Sequence, residues 1–228
     1  MGEGLWLGIE TSGRGGGVAL VRNGAVLAET VMPVAADTTE RLLPAVRDIM
    51  GACSADTDDL DGIGVSLGPG SYTGLRIGVA TAMGLSRGWE VPLAGVSTLK
   101  ALAFGTGIAG DLLVAVRARR KEVFATAFRL VAGEEPAELF RPAAYTAEAV
   151  SRWLDGRGGI AAVGSGRQQL ASADAAWLPR IFDLPRPSVV AHLARLGETD
   201  APGKGLEPLY LRGFKGLALE EVEPVDRA

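Results

Sequence analysis

Leu5-Trp-Leu-Gly-Ile-Glu10, Thr11-Ser-Gly-Arg-Gly-Gly-Gly17, Val18-Ala-Leu-Val-Arg22, Asn23-Gly24 and Ala25-Val-Leu-Ala-Glu-Thr-Val-Met32 open the chain. Leu5 to Glu10 is an apolar, strand-like run, and Thr11 to Gly17 is a turn of small residues. Val18 to Arg22 continues as a strand. Asn-Gly is the pair that a two-residue hairpin turn demands, because both central residues need positive φ. Ala25 to Met32 supplies a third strand, so three strands meander through tight turns.

The period then changes. Leu42, Leu43, Val46, Ile49 and Met50 share one face of a helix predicted over Thr39 to Cys53. Thr39 is a candidate cap, with Pro44 either shifting the start downstream or tolerated near the first turn. Asp56, Asp58, Asp59 and Asp61 form an acidic connector. Gly62 to Leu67 reads as a buried strand and Gly68 to Gly74 as a turn. A helix follows from about Thr73 to Gly88, then a short strand over Pro92 to Gly95 and a helix over Ser97 to Phe104. The first hundred residues therefore read β-β-β-α-β-α.

Leu112 to Val116 and Glu122 to Val131 look like strands joined by the turn Arg117 to Lys121. Glu134 to Pro142 is irregular. A helix near Thr146 to Leu154, a strand near Ile160 to Val163 and a helix near Ser188 to Leu196 continue this second block. It repeats the first in coarse form, which predicts two related lobes, residues 1–98 and 99–228, with a hinge near Gly95 to Gly110. The final segment has the option of packing back on the first lobe. Trp153 and Trp177 are candidate core residues of the second.

The chain has 228 residues, 47% hydrophobic and 22% charged, which is ordinary for a globular protein. Glycine, at 32 residues, is about twice its usual share and points to tight turns and close backbone approaches. A net charge of −4 argues against a general nucleic-acid coat or a polybasic membrane binder. One cysteine, Cys53, rules out an intrachain disulfide and fits a reducing compartment. The start of the chain lacks the basic region of a secretory signal, and no uncharged apolar run is long enough for a membrane span. The expectation is a cytoplasmic protein. His192 is the only histidine, so zincin motifs and Cys/His zinc knuckles are excluded. A nucleophilic triad would have to use His192, which lies in an amphipathic helical pattern and reads more simply as a packed helix residue.

Gly68-Pro-Gly-Ser-Tyr-Thr-Gly74 is the most informative single segment. A glycine loop entering a helix presents free N–H groups that suit a phosphate or carboxylate, with Gly68, Gly70, Ser71 and Thr73 as its candidate residues. It is not a Walker A loop, since no Lys-Ser/Thr follows, nor a Gly-x-Ser-x-Gly elbow. A structural turn is the simpler reading of the spacing. In the helix beyond, Gly74, Gly78 and Ala82 recur at steps of four, and so do Gly84 and Gly88. Such a stripe admits close approach of another helix, within this chain or from a partner.

Leu7-Gly-Ile-Glu-Thr-Ser12, Val18-Ala-Leu20, Gly68-Pro-Gly-Ser-Tyr-Thr-Gly-Leu-Arg-Ile-Gly78 and Gly95-Val-Ser-Thr-Leu99 resemble the TsaB, or YeaZ, family. Val163-Gly-Ser-Gly166 and Glu207-Pro-Leu-Tyr-Leu-Arg212 match as well, so the resemblance covers nearly the whole chain. It implies an α/β fold of the actin/Hsp70/sugar-kinase-like class with two βββαβα-type lobes. It also implies a non-catalytic subunit in the synthesis of N6-threonylcarbamoyladenosine at position 37 of tRNA. The partner would be the metal-dependent paralogue TsaD, with TsaE and tRNA joining through that complex. Self-association of the free chain is a further option. No intrinsic cofactor or metal is implied, although a nucleotide at the interface with partners fits the family.

The family's contact with TsaD uses the first-lobe helices, which here puts Leu42, Val46, Ile49, Tyr72, Gly74, Leu75, Arg76, Gly78, Val79 and Ala82 at the expected partner interface. On this reading a Gly78→Leu chain would stay folded and bind its partner poorly. Three positions depart from the family pattern. Glu10 replaces the usual Asp, Thr38 stands near a common His, and Arg117 replaces the usual Asp. The last makes Arg117-Ala-Arg-Arg-Lys121 four basic residues in five, which reads as a solvated turn or as a contact for tRNA phosphate or an acidic partner surface. The competing readings are an ATP-using phosphotransferase of the same fold and a protease.

Overall fold

The computed structural model describes residues 4–13, 15–32, 38–119, 121–132, 136–170, 174–197, 199–202 and 205–209. Tyr210 to Arg212, and the side chain of Arg120, lie outside them. The chain forms two compact units, 1–101 with 185–209, and 102–184.

In the first unit β1 (Leu5–Glu10), β2 (Gly16–Arg22) and β3 (Ala25–Met32) form the expected meander. Asn23 and Gly24 both take positive φ at its hairpin turn, as that turn type requires. There follow α1 (Thr38–Ala52), β4 (Leu60–Gly68), α2 (Tyr72–Trp89), β5 (Leu93–Ser97) and α3 (Thr98–Gly105), which leads out of the unit. The sheet order is β3-β2-β1-β4-β5. The first three strands are antiparallel, while β4 and β5 run parallel to β1. β1 is buried along its whole length, which its unbroken apolar run anticipates.

The second unit contains β6 (Gly110–Arg117), β7 (Glu122–Leu130), β8 (Ala137–Glu138), β9 (Ala143–Thr146), α4 (Ala147–Leu154), β10 (Ala161–Val163) and β11 (Ala176–Trp177). β7 pairs antiparallel with β6 and β9, and β10 pairs parallel with β6 and β11. The order β9-β7-β6-β10-β11 is thus the order of the first sheet repeated. Two units built on one strand order make this the two-lobed actin/Hsp70/sugar-kinase-like class, although among the described residues the second unit has α4 as its one α-helix between its strands. β9 falls between the irregular stretch Glu134 to Pro142 and the helix expected from Thr146, where sequence predicts no strand because Ala143-Ala-Tyr-Thr146 shows no alternation. All of Ala143, Ala144 and Tyr145 are buried. Phe140 stacks edge-on against both Tyr145 and Trp153 in this unit's core.

The last helix, α5 (Pro187–Leu196), belongs to the first unit rather than to the second block. The strands make room for it. A Cβ on Gly8 would fall on the Pro187 carbonyl oxygen and lie 2.9 Å from Ala191 Cβ, and one on Gly64 would lie 3.0 Å from the Val190 carbonyl oxygen. Trp6, Val21, Val96, Val190, Ala191 and Ala194 form the resulting core. Glu29 on β3 caps the helix, accepting from Ser188 N at 3.0 Å and Ser188 Oγ at 2.6 Å, and pairs with Arg186. Among the described residues, no helix is long and apolar enough to cross a membrane.

Candidate functional site

The turn after β1 and the entry to α2 are tied together. Ser71 caps α2, its Oγ accepting from Gly74 N at 3.2 Å. Ser71 N donates to the Ser12 carbonyl at 2.8 Å, and Leu75 N to the Ser71 carbonyl at 2.9 Å. A Cβ on Gly70 would lie 2.8 Å from Ser12 Cβ, one on Gly74 would fall on the Thr11 carbonyl oxygen, and one on Gly78 on Thr11 Oγ1. The Gly74–Gly78 half of the small-residue stripe therefore lets α2 lie against the Thr11–Ser12 turn of its own lobe. Gly68, Gly70, Ser71 and Thr73 do come together at the helix entry. The amides of Ser71, Gly74 and Leu75 are already bonded within the chain, so the packing supplies the structural reason for this loop.

Glu10 lies beneath this turn and is 3% exposed. Its Oε1 accepts from Ser12 N and Ser12 Oγ, both at 2.5 Å, while Oε2 is buried without a partner among the described residues. Burial pushes its ionisation up to about 7, against the opposing pull of the Ser12 bonds. Among the described residues Thr11 Oγ1 and Thr98 Oγ1 are buried without hydrogen-bond partners as well. A carboxyl folded onto its own turn is poorly placed to hold a metal–phosphate group, which is the role the phosphotransferase reading needs.

The interface expected from sequence needs correcting at most of its positions. Leu42, Val46, Ile49, Leu75, Val79 and Ala82 are at most 4% exposed, and Gly78 is buried. Leu42, Val46, Ile49, Val79 and Ala82 belong to the core against the first sheet. A helix lying on a sheet spends its apolar stripe on that sheet, so the stripe is unavailable to a partner. Gly74 is half-buried over Thr11. Of the expected set only Tyr72 and Arg76 are exposed, with the Arg76 guanidinium 4.2 Å above the Tyr72 ring.

The outward face is made by other residues. Leu43 and Pro44 on α1 and Leu85 and Trp89 on α2 line an open apolar groove of about 470 Å³, with Arg47 at its edge. Leu43 is 53% exposed although sequence puts it on the same face as Leu42. Ala80, Gly84 and Gly88 are exposed along α2, and a Cβ on Gly84 or Gly88 would meet nothing within 4 Å. The signal was present in the sequence as the second glycine pair. Gly84 stands two positions past Ala82, about 200° around the helix and so on its opposite face.

His192 on α5 is half-buried beside the β2–β3 turn, with burial first and Arg195 second lowering its affinity for a proton. Cys53 is half-buried against the first core. Among the described residues no cluster of His, Cys, Asp and Glu has metal-binding geometry.

Residues 30–190 match the model of the family described as TsaD: tRNA N6-adenosine threonylcarbamoyltransferase. The chain is 35% identical over 144 residues to the tRNA threonylcarbamoyladenosine biosynthesis protein TsaB of Escherichia coli (strain K12), covering 60% of this chain and 62% of that protein. It is 38% identical over 119 residues to the protein of the same name from Bacillus subtilis (strain 168), covering 52% of each. These matches span between half and two thirds of the relatives' length. The solved structure of YeaZ from Pseudomonas aeruginosa superposes with a TM-score of 0.78 at 26% identity, over 91% of this chain and 100% of that one. The chain therefore belongs to the family of that tRNA N6-adenosine threonylcarbamoyltransferase model and, within it, to the TsaB/YeaZ proteins.

Proposed function

We propose that this chain is a non-catalytic subunit of the machinery that makes N6-threonylcarbamoyladenosine in tRNA, and that it binds TsaD. The carrying observation is its identity to two relatives named for that pathway. The family-model match supports TsaD as the partner, since paralogues of one fold are suited to pack lobe on lobe. With a single histidine the chain has no pair for a two-histidine metal site. The binding face is the exposed side of α1 and α2: Leu43 and Pro44, the Tyr72–Arg76 stack, and the open stripe Ala80, Gly84 and Gly88. An apolar groove lined by Leu43, Leu85 and Trp89 and, at the other end of α2, an aromatic–arginine pair are residue types enriched at interface centres. TsaE and tRNA meet the chain through this complex.

Reconstituted tRNA modification with the cognate enzymes, with and without this chain, tests the role. Threonine incorporation into tRNA should collapse on omission, and the chain alone should incorporate none. Unchanged incorporation on omission would overturn the reading.

A further inference from the structure

The chain as a whole carries −4, but its charge is uneven. Residues 102–184 hold ten Lys and Arg against nine Asp and Glu, a balance of +1, and the remainder carries −5. Within the second unit the excess gathers at the turn between β6 and β7. Arg117, Arg119 and Lys121 are all exposed there. Among the described residues no ion pair engages any of the three, whereas Arg129 and Arg167 are matched by Asp111 and Asp183. The turn is held from both sides. Arg117 N donates to Ser165 Oγ at 3.1 Å, and the Lys121 carbonyl accepts from Ala147 N at 2.8 Å, at the start of α4.

Beside it runs a groove of about 860 Å³ lined by Lys121, Thr146, Ser151, Arg152, Gln168 and Gln169, with Glu148 and Asp155 also on its wall. Ala147 is its one apolar lining residue. Gln169 Oε1 is buried without a hydrogen-bond partner among the described residues. The groove's remaining lining residues are polar or charged, whereas the buried centre of a protein interface is depleted of charged residues. A cationic turn beside a wall of hydroxyls and amides, on which Lys121 and Arg152 offset Glu148 and Asp155, suits the sugar–phosphate backbone of a nucleic acid. Arginine and lysine neutralise phosphates, and Ser, Thr and Gln side chains reach phosphate and sugar.

We infer that the β6–β7 turn and the adjoining α4 groove form a direct contact surface for the backbone of RNA, with Arg117, Arg119 and Lys121 as its cations. The choice of tRNA as that RNA rests on the proposed function. Contact of this kind is independent of sequence. It adds affinity and orientation to the complex and leaves base recognition to other surfaces.

The test is fluorescence anisotropy of an unmodified tRNA transcript titrated with the full chain at several salt concentrations. The comparison is with the variant Arg117→Ala/Arg119→Ala/Lys121→Ala. The wild-type chain should bind with a dissociation constant at or below about 10⁻⁴ M at physiological salt, the weak end of non-specific phosphate binding. The triple variant should bind more weakly, with the slope of log K against log salt shallower by about 2 to 3. Arg119→Ala alone should remove about 1 from the slope, which keeps the test intact if the triple variant folds poorly. An unchanged slope, or wild-type binding weaker than that limit, overturns the inference. So does equal competition by poly-glutamate, which would assign the turn to an acidic protein surface. Because binding is read on the chain alone, its failure is separable from failure of the pathway reading, which the omission experiment reads.

Discussion

Glu10 shows how burial changes what a carboxyl at the end of a strand can do. Its carboxyl is buried, turned onto Ser12, and ionises near 7 because burial outweighs the two Ser12 bonds. The folded value lies above the ordinary 4.5, so the stabilisation it contributes is complete below about pH 4.5 and is lost as pH rises through 7. The shift corresponds to a contribution of about 3 kcal/mol at most. Glu10→Gln keeps an acceptor for Ser12 without the ionisation. The variant should therefore melt well above the wild-type chain at pH 8, with the gap closing at pH 5. Melting curves across that range check this, and equal pH dependence of the two proteins would count against a buried ionisable Glu10. The sequence marked Glu10 as a departure, yet the departure alone does not say that the carboxyl is sealed under the turn. That depends on Ser12 and on the approach of α2, both set by packing. Arg76 was legible as a polar contact at a helix start, although its seat over Tyr72 was not.

Single elements separate what periodicity reveals from what it conceals. Helical spacing in α1 and α2 identifies an apolar face, and it also places small residues on the opposite side of α2. It does not say whether the apolar face meets a sheet or a partner. In this fold the sheet takes it, and the stripe Ala80, Gly84 and Gly88 faces outward, where the proposed function puts the partner. The two glycine sets should consequently respond oppositely. Gly78→Leu drives a side chain into Thr11 and should cost about 3 kcal/mol, so the monomer that sequence expects to be undisturbed is strongly destabilised. Gly84→Leu meets open space and should raise stability by about 0.5–1 kcal/mol through helix propensity, while abolishing close approach to TsaD. Thermal melts and a pull-down with TsaD read the two effects. Normal TsaD binding by a folded Gly84→Leu chain would remove that face from the interface. Glu29 acts at the same scale. Burial alone would raise its ionisation, but the bonds from Arg186 and Ser188 outweigh that and hold it below the ordinary carboxylate range. Its support for α5 is present above about pH 4.5 and fades as acid protonates it. Glu29→Ala should cost about 1 kcal/mol, the usual worth of a helix cap, or about 2–4 °C in Tm for a chain of this size.

At the scale of the whole molecule, chain order and spatial order part company at α5. Reading along the sequence assigns Ser188 to Leu196 to the nearer, second block, because an amphipathic helix carries no address. The address is written in the strands instead. Gly8, Gly17 and Gly64 lie inside β1, β2 and β4, and a glycine in a strand interior marks close approach of another backbone. Pro187 to Ala194 fill the space above Gly8 and Gly64, and a Cβ on Gly17 would lie 3.0 Å from Pro187 Cγ. The first lobe is thus completed by residues more than eighty positions beyond the rest of it. A chain ending at Leu184 should retain the second unit while leaving Trp6, Val21, Ala94 and Val96 without the apolar cover that Val190, Ala191 and Ala194 provide. Those side chains bury about 1.5–3 kcal/mol each for a valine-sized group and less for alanine, a large fraction of the marginal stability of any domain. Tryptophan emission reads the outcome, because Trp6 lies in the first unit while Trp153 and Trp177 lie in the second. In chains where Trp6 and Trp89 are the only tryptophans retained, removal of residues 185–228 should shift the emission to the red. With Trp153 and Trp177 retained instead, the emission should stay where the full-length chain has it. A first lobe whose emission is unmoved by the loss of α5 would show that its glycine-lined sheet is stable without the helix, and the long-range closure of the lobe would then be dispensable to its fold.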